Sequence, residues 1–185
     1  MCYIKGAFEA DVSKRTYRCL PKLKQNYFNF GDTFMKMRVK IAAQQLSHTM
    51  AAAIETFFAA GLIQSSESQQ TAEFVELIDQ LFDSLNSSQF HNHEGKPFRS
   101  ALSVNSPHIE FWSKLLPKLN NWKIFENNNG LNGKIRNNFS FVKSWQKTIR
   151  AVIYLWGILK DKGLKFLNLR NLNQDPLEHL FGQIR

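Results

Sequence analysis

Cysteine is scarce in this chain of 185 residues, with Cys2 and Cys19 as its two examples. Two cysteines form one disulfide at most, and they cannot supply a four-cysteine metal site. The scarcity therefore excludes a disulfide-stapled scaffold and favours a reducing, intracellular compartment.

Long apolar runs are also missing. No stretch of about 18 uncharged apolar residues exists, so a membrane span is not expected and we predict no membrane partner. Lys5, Glu9 and Asp11 interrupt the N-terminal region, which excludes a signal-peptide pattern there.

Acidic residues are outnumbered. The chain has 24 lysines and arginines and 15 aspartates and glutamates, which gives a net charge of +9 and a pI near 9.7. Such a balance attracts polyanions such as nucleic acid, a phosphorylated ligand or an anionic membrane surface. The basic residues are scattered, so a basic tail is absent, and 43% hydrophobic residues with 16 phenylalanines predict a packed core. The charge favours a nuclear location.

Alternating strand patterns are scarce, and the chain reads as mainly α. Apolar residues at three- and four-residue steps predict four helices, over about 35–60, 71–85, 106–119 and 139–160. Gly61 and Gly163 follow two of them as stop signals. Residues 1–35 are expected to be irregular, and residues 87–105 form a loop long enough to favour binding or disorder.

Four stretches, taken in order, resemble the P-element-like transposases and their THAP-domain relatives. They read YRCLPKL, KMRVKIAAQQLS, FVELIDQLFDSLNS and LNQDPLEHLFG, at residues 17–23, 36–47, 74–87 and 172–182. Any one stretch alone is a weak signal, although the second and fourth are quite specific, and the ordered set, which spans residues 17–182, is a strong one.

The resemblance implies a helical GTP-binding insertion within an RNase H-like transposase domain. On this basis residues 1–35 are a remnant or linker of the RNase H-like part, 36–165 are the helical insertion, and 166–185 return toward the C-terminal RNase H-like part. The RNase H sheet itself, the zinc-binding THAP module and the first two catalytic aspartates have no counterpart in the sequence. We therefore expect a fragment that is not catalytically competent alone: a decayed transposon copy, a partial gene model or one exon of something larger.

By the same resemblance Glu178 is the third catalytic carboxylate and a ligand of Mg²⁺, and Asp175 lies near the nucleotide. The residues themselves also suggest a structural role. Asp175 precedes Pro176, so it is suited to cap a helix, with Glu178 reaching back in a capping box.

Nucleotide binding has less specific support in the residues. The chain has no Gly-x-x-x-x-Gly-Lys-Ser/Thr loop. Lys96 and Arg99 are candidate phosphate contacts, with a solvated loop as the alternative. Asp83 is a candidate for contacting GTP or Mg²⁺, with a surface carboxylate as the alternative. Its place near a helix C-terminus is electrostatically unfavourable, which favours a functional role.

The remaining candidates are assigned mainly structural roles. His91 and His93 are interpreted as loop residues, and His48 and His108 as structural. The tryptophans at positions 112, 122, 145 and 156 have helical spacing typical of core residues. Residues 27–30 and the C-terminal apolar residues Leu180, Phe181 and Ile184 are expected to be exposed, because their partner sheet is missing.

Two functions remain open. The first is a fragment of a P-element-type transposase that binds GTP and Mg²⁺. Its family acts on DNA at transposon ends, and a homo-oligomer is possible. The second is a transposon-derived helical module that binds DNA or protein without nucleotide. For that module Lys36, Arg38 and Lys40 are candidate phosphate contacts, against a solvated helix face.

Overall fold

The computed structural model describes residues 2–13, 17–29, 31, 38–90, 95–126, 134–136 and 139–173. In this part of the chain the fold is mainly α, as the sequence predicts. The helices are α1 (Cys2–Ser13), α2 (Val39–Gln45), α3 (His48–Ala59), α4 (Glu67–Leu85), α5 (His108–Asn120) and α6 (Ser140–Asp161). None of these helices is long and apolar enough to cross a membrane.

Strands are short and pair in two antiparallel ladders. Strand β1 (Leu102–Ser103) pairs with β4 (Phe166–Leu167), and β2 (Ile124–Glu126) pairs with β3 (Lys134–Arg136). Three single-turn 3₁₀ helices lie at Gln25–Phe28, Pro97–Arg99 and Leu169–Leu172. The chain divides into two compact units, Met1–Phe82 and Asp83–Arg185.

The first unit is built around the packing of α1 against α3. Its core contains buried aliphatic and aromatic side chains from both helices, from the segment between α1 and α2, and from α4. Met50, Ile54 and Phe57 form the fully buried face of α3. Gly61 follows α3 with a φ of +71°, in the left-handed region that glycine adopts without steric cost.

The expectation of irregular structure over residues 1–35 is wrong for α1. Ile4, Ala7, Phe8 and Asp11 recur on one face of this helix and are buried. The sequence pattern was obscured because Asp11, an acidic residue, occupies a core position. Its Oδ1 accepts a hydrogen bond from the Cys19 backbone N–H at 2.5 Å.

Asp11 holds the segment that follows α1. Its Oδ2 accepts from the Leu20 backbone N–H at 3.2 Å and from the Arg18 Nε at 3.1 Å. Arg18 also donates to the Leu20 carbonyl and lies over the Phe8 ring, 5.5 Å from its centroid. Residues 17–23, the first stretch of the family resemblance, are thus fixed by a buried carboxylate.

The predicted exposure of residues 27–30 is also wrong for Tyr27 and Phe28, whereas Asn29 is exposed. Phe28 is buried and packs on Phe8, with 5.0 Å between the ring centroids. Tyr27 is half-buried, and its carbonyl accepts a hydrogen bond from the Gln45 side chain at 3.0 Å. Phe30 and the C-terminal residues 180–184 lie outside the described residues.

The helix predicted over 35–60 is two helices in the structure. Ser47 separates α2 from α3, and its extended backbone and hydroxyl cap α3 by accepting from the Met50 backbone N–H at 3.3 Å. This is a local side-chain alternative to continued helix, which serine favours at helix starts. Residues 35–37 lie outside the described part of the chain.

Helix α4 begins at Glu67, earlier than predicted near Thr71, and ends as expected at Leu85. Its buried face contains Ala72, Val75, Ile78 and Leu81, whereas Phe74 and Phe82 of the predicted stripe are about half exposed. The predicted helical period is correct, but the buried face is centred on Val75 and Ile78 rather than on the large residues Phe74 and Phe82.

The second unit packs α5 against α6. Trp112 and Trp156 are buried, as expected for core tryptophans, and Trp122 and Trp145 are half-buried with their rings in edge contact. The predicted span of α6 is confirmed, and Gly163 follows it with a φ of +90°. Helix α5 continues through Pro117 to Asn120.

Candidate functional site

Three residues singled out in the sequence, Asp83, Lys96 and Arg99, come together in the second unit. Lys96 Nζ lies 3.3 Å and Arg99 Nε 3.1 Å from the same oxygen, Oδ2 of Asp83. The Asp83 side chain is 11% exposed, against 26% for Lys96 and 41% for Arg99. The cluster thus brings two cations to one nearly buried carboxylate.

The last turn of α4 supplies Asp83. Backbone carbonyls without helical partners make this end of a helix electronegative, so a carboxylate there is destabilised unless cations balance it. Lys96 and Arg99 provide that balance. The interpretation of Asp83 as a surface carboxylate and of Lys96 and Arg99 as solvated loop residues therefore does not describe the structure.

The two cations are held by a short, well-anchored segment. Gly95 has a φ of +71° and precedes the 3₁₀ turn Pro97–Arg99, in which the Arg99 N–H donates to the Lys96 carbonyl at 3.0 Å. Gln89 fixes the far side of this turn. Its N–H donates to the Arg99 carbonyl at 3.3 Å, and its carbonyl accepts from the Ala101 N–H at 2.7 Å.

A buried histidine supports the same turn from α5. His108 is fully buried, and its Nε2 lies 3.1 Å from the Phe98 carbonyl. Because a carbonyl only accepts, Nε2 carries the proton, and Nδ1 is left buried without a partner. Burial lowers the pKa of His108, partly offset by the Phe98 carbonyl, so the ring is neutral near pH 7. The interpretation of His108 as structural fits this placement.

Ser84 connects the cluster to the core of the second unit. It follows Asp83 directly, is fully buried, and its Oγ accepts a hydrogen bond from the Trp112 Nε1 at 2.9 Å. Sequence reasoning missed Ser84, His108 and Gln89 as supports of the cluster. Ser84 adjoins Asp83 in the sequence, but a polar neighbour is too common to be informative, and Gln89 and His108 are six or more positions from every candidate.

The C-terminal segment is attached next to the cluster. The Arg170 N–H donates to the Ser87 carbonyl at 3.0 Å, and the Leu169 N–H meets the Ser87 Oγ at 3.4 Å. The side chain of Asn173 donates to that of Asn86. The chain thus returns to the end of α4, three residues from Asp83. Asp175 and Glu178 lie outside the described residues, so their predicted roles stay predictions.

Other candidates lie elsewhere or outside the description. His48 is exposed and pairs with Glu76, with 2.7 Å between Nδ1 and Oε2. Arg38 and Lys40 are exposed. His91, His93 and Lys36 are not among the described residues. Within the described ranges no group of three histidine, cysteine or acidic side chains is arranged to hold a metal ion.

Comparisons with known proteins identify the family of this chain. The family model described as "TNP-like, GTP-binding insertion domain" matches residues 3–98, slightly more than half of the chain. Comparison with curated proteins finds no match. A solved structure described as a Drosophila P element transposase strand transfer complex shares the fold, with a TM-score of 0.77 and 21% identity.

That likeness covers 97% of this chain and 38% of the transposase chain, so the sequence spans well under half the length of its structural relative. The match of residues 3–98 includes the first unit, Asp83 and Lys96, and stops one residue before Arg99. The chain belongs to the family of TNP-like GTP-binding insertion domains.

Proposed function

We propose that this chain binds a guanine nucleotide, GTP, through its phosphates at the Asp83–Lys96–Arg99 cluster. The observation that supports the proposal is the convergence of two cations on Oδ2 of Asp83, within or directly beside the region that matches the insertion-domain family. Phosphate oxygens are strong acceptors and pair well with arginine and lysine.

The cluster has the electrostatics that a phosphate requires. It contains two cations, and Lys96 and Arg99 keep 26% and 41% of their side-chain surface exposed, so an anion can approach them. Asp83 is a positioning residue in this proposal. Its carboxylate orders two long side chains in advance, which lowers the conformational entropy lost on binding.

Asp83 does not suit a direct role as a Mg²⁺ ligand. A divalent cation at Oδ2 would lie beside two positive charges that already occupy that oxygen. The Mg²⁺ implied by the family resemblance therefore belongs, in our proposal, with the nucleotide phosphates or with Glu178.

Calorimetric titration with GTP, with and without Mg²⁺, tests the proposal, and ATP serves as the comparison for base selectivity. We expect Lys96→Gln and Arg99→Gln each to weaken GTP binding by roughly 10- to 100-fold, the range for losing a hydrogen bond to a charged group. Asp83→Asn is expected to weaken it through looser positioning. Lys114→Gln, which removes an exposed cation paired with Glu110, is the matched control and should leave binding unchanged.

The absence of heat and of a thermal shift at millimolar GTP would contradict the nucleotide proposal. Equal losses in the Lys114→Gln control would show that general charge, rather than the cluster, attracts the ligand.

In a wider context, we propose that the chain works as the insertion domain of a P-element-type DNA transposase and does not cleave DNA alone. The family match and the shared fold support this proposal.

We further propose a nuclear location, since the chain is basic and transposition acts on DNA. A nicking assay with Mg²⁺ tests the catalytic part: activity of the purified chain that is lost in Glu178→Ala would overturn it.

A further inference from the structure

Between Lys143 and Arg150, one exposed face of α6 carries three positive charges and no negative charge. Lys143, Lys147 and Arg150 are all exposed and are separated by four and three residues. At about 100° per residue they fall within an arc of about 60°, and Tyr154, 74% exposed, continues the same line. We refer to these four residues as the α6 stripe. From Lys143 to Tyr154 it spans about 16 Å along the helix.

The opposite face of α6 is fully used by the fold. Val142, Ile149, Val152 and Trp156 are buried in the second unit. Consequently α6 cannot lay an apolar face into a lipid bilayer, as a basic amphipathic helix on a membrane does. Its exposed side includes a row of cations and the Tyr154 hydroxyl, beside the partly exposed Phe141 and Ile158.

No acidic side chain among the described residues forms a salt bridge with the stripe, in contrast to Lys114, which pairs with Glu110 on α5. Residues 139–173 contain seven lysines and arginines and one acidic residue, Asp161, which is six of the nine net positive charges of the chain.

Without a ligand, this row of like charges destabilises α6. Like charges four residues apart repel, and Lys143 lies near the positive N-terminal end of the helix dipole. A merely solvated face usually mixes both signs. A single-signed row is favoured when the ligand itself carries regularly spaced negative charge.

We propose that the α6 stripe binds the phosphate backbone of duplex DNA. Lys143, Lys147 and Arg150 contact successive phosphates, and the Tyr154 hydroxyl donates to a phosphate oxygen at the end of the row. Such contacts fix position on the duplex and do not read its sequence. The site is separate from the Asp83 cluster in its residues and in its ligand.

The test is binding of a fluorescent 20-base-pair duplex to the whole chain across a salt series. Three phosphate contacts contribute about −2.7 to the slope of log K against log salt, so this part of the affinity falls about 40-fold between 50 and 200 mM salt. The variant K143Q/K147Q/R150Q is expected to reduce the steepness of the slope by that amount. The control K22Q/K24Q/K118Q removes the same charge at exposed positions elsewhere and should leave the slope nearly unchanged.

Equal slopes for the stripe variant and the parent chain would overturn the proposal, as would equal effects of the two triple variants. Binding to anionic vesicles without binding to duplex would also overturn it. GTP titration of the stripe variant separates the two proposals, because its GTP affinity should equal that of the parent. Unchanged circular dichroism of the variant confirms that α6 is intact.

Discussion

Replacing Asp11 by alanine tests how the first unit is held together. Asp11 is completely buried, and two backbone N–H groups, those of Cys19 and Leu20, donate to its carboxylate. Hydrogen bonds to a charged group contribute about 1.5–3 kcal/mol each. The Arg18 side chain is 38% exposed, so its ion pair adds little. We expect Asp11→Ala to lower the free energy of unfolding by about 3–5 kcal/mol.

Urea unfolding followed by circular dichroism measures this loss. With a urea m-value of about 2 kcal/mol/M, the midpoint should fall by roughly 1.5–2.5 M. Glu9→Ala is the matched control on the same helix, because Glu9 is 57% exposed and pairs only with the half-exposed Lys5 among the described residues. It should change stability by less than about 0.5 kcal/mol. Equal midpoints for the two variants would refute the assignment of Asp11 as the clamp of residues 17–23.

Three further predictions each concern one residue, and the change in the free energy of unfolding is measured from urea midpoints. Ser47→Ala removes the cap of α3 and should cost about 1 kcal/mol, whereas Ser47→Asp, which retains a capping oxygen, should cost less. Burial lowers the pKa of His108 below 6.5, so the unfolded chain binds a proton at this side chain at higher pH than the folded chain does. The free energy of unfolding should therefore decline below about pH 6.5, and His108→Gln should flatten that decline. Gly163→Ala places a side chain at a φ of +90° and should cost about 1–2 kcal/mol, whereas Gly157→Ala, inside α6 with open space around it, should not destabilise.

The sequence was most informative where one physical pattern dominated. Helix α6 is long, amphipathic and followed by glycine, so its period, end and buried tryptophan followed directly from the residues. Helix α1 was missed for the opposite reason. Its face is completed by Asp11, whose burial depends on partners seven to nine residues away, and no local pattern reveals those partners.

The candidate site shows the same limit at longer range. Asp83, Lys96 and Arg99 were each identifiable as unusual or charged residues near a long loop. Their convergence on one oxygen depends on the 3₁₀ turn Pro97–Arg99 and on anchors such as Gln89 and His108. Residue types indicated the ligand chemistry, whereas the pairing required the fold.

The return of the chain to the end of α4 has a consequence for modularity. Ser87 and Arg170, 83 positions apart in sequence, are joined by a backbone hydrogen bond, and β1 pairs with β4 close by. The two ends of the intervening polypeptide therefore meet, which is the arrangement that domain grafting requires. Length changes within the segment between these two anchors therefore carry little loop-closure cost. Such changes need not shift α4, the helix that leads into this segment.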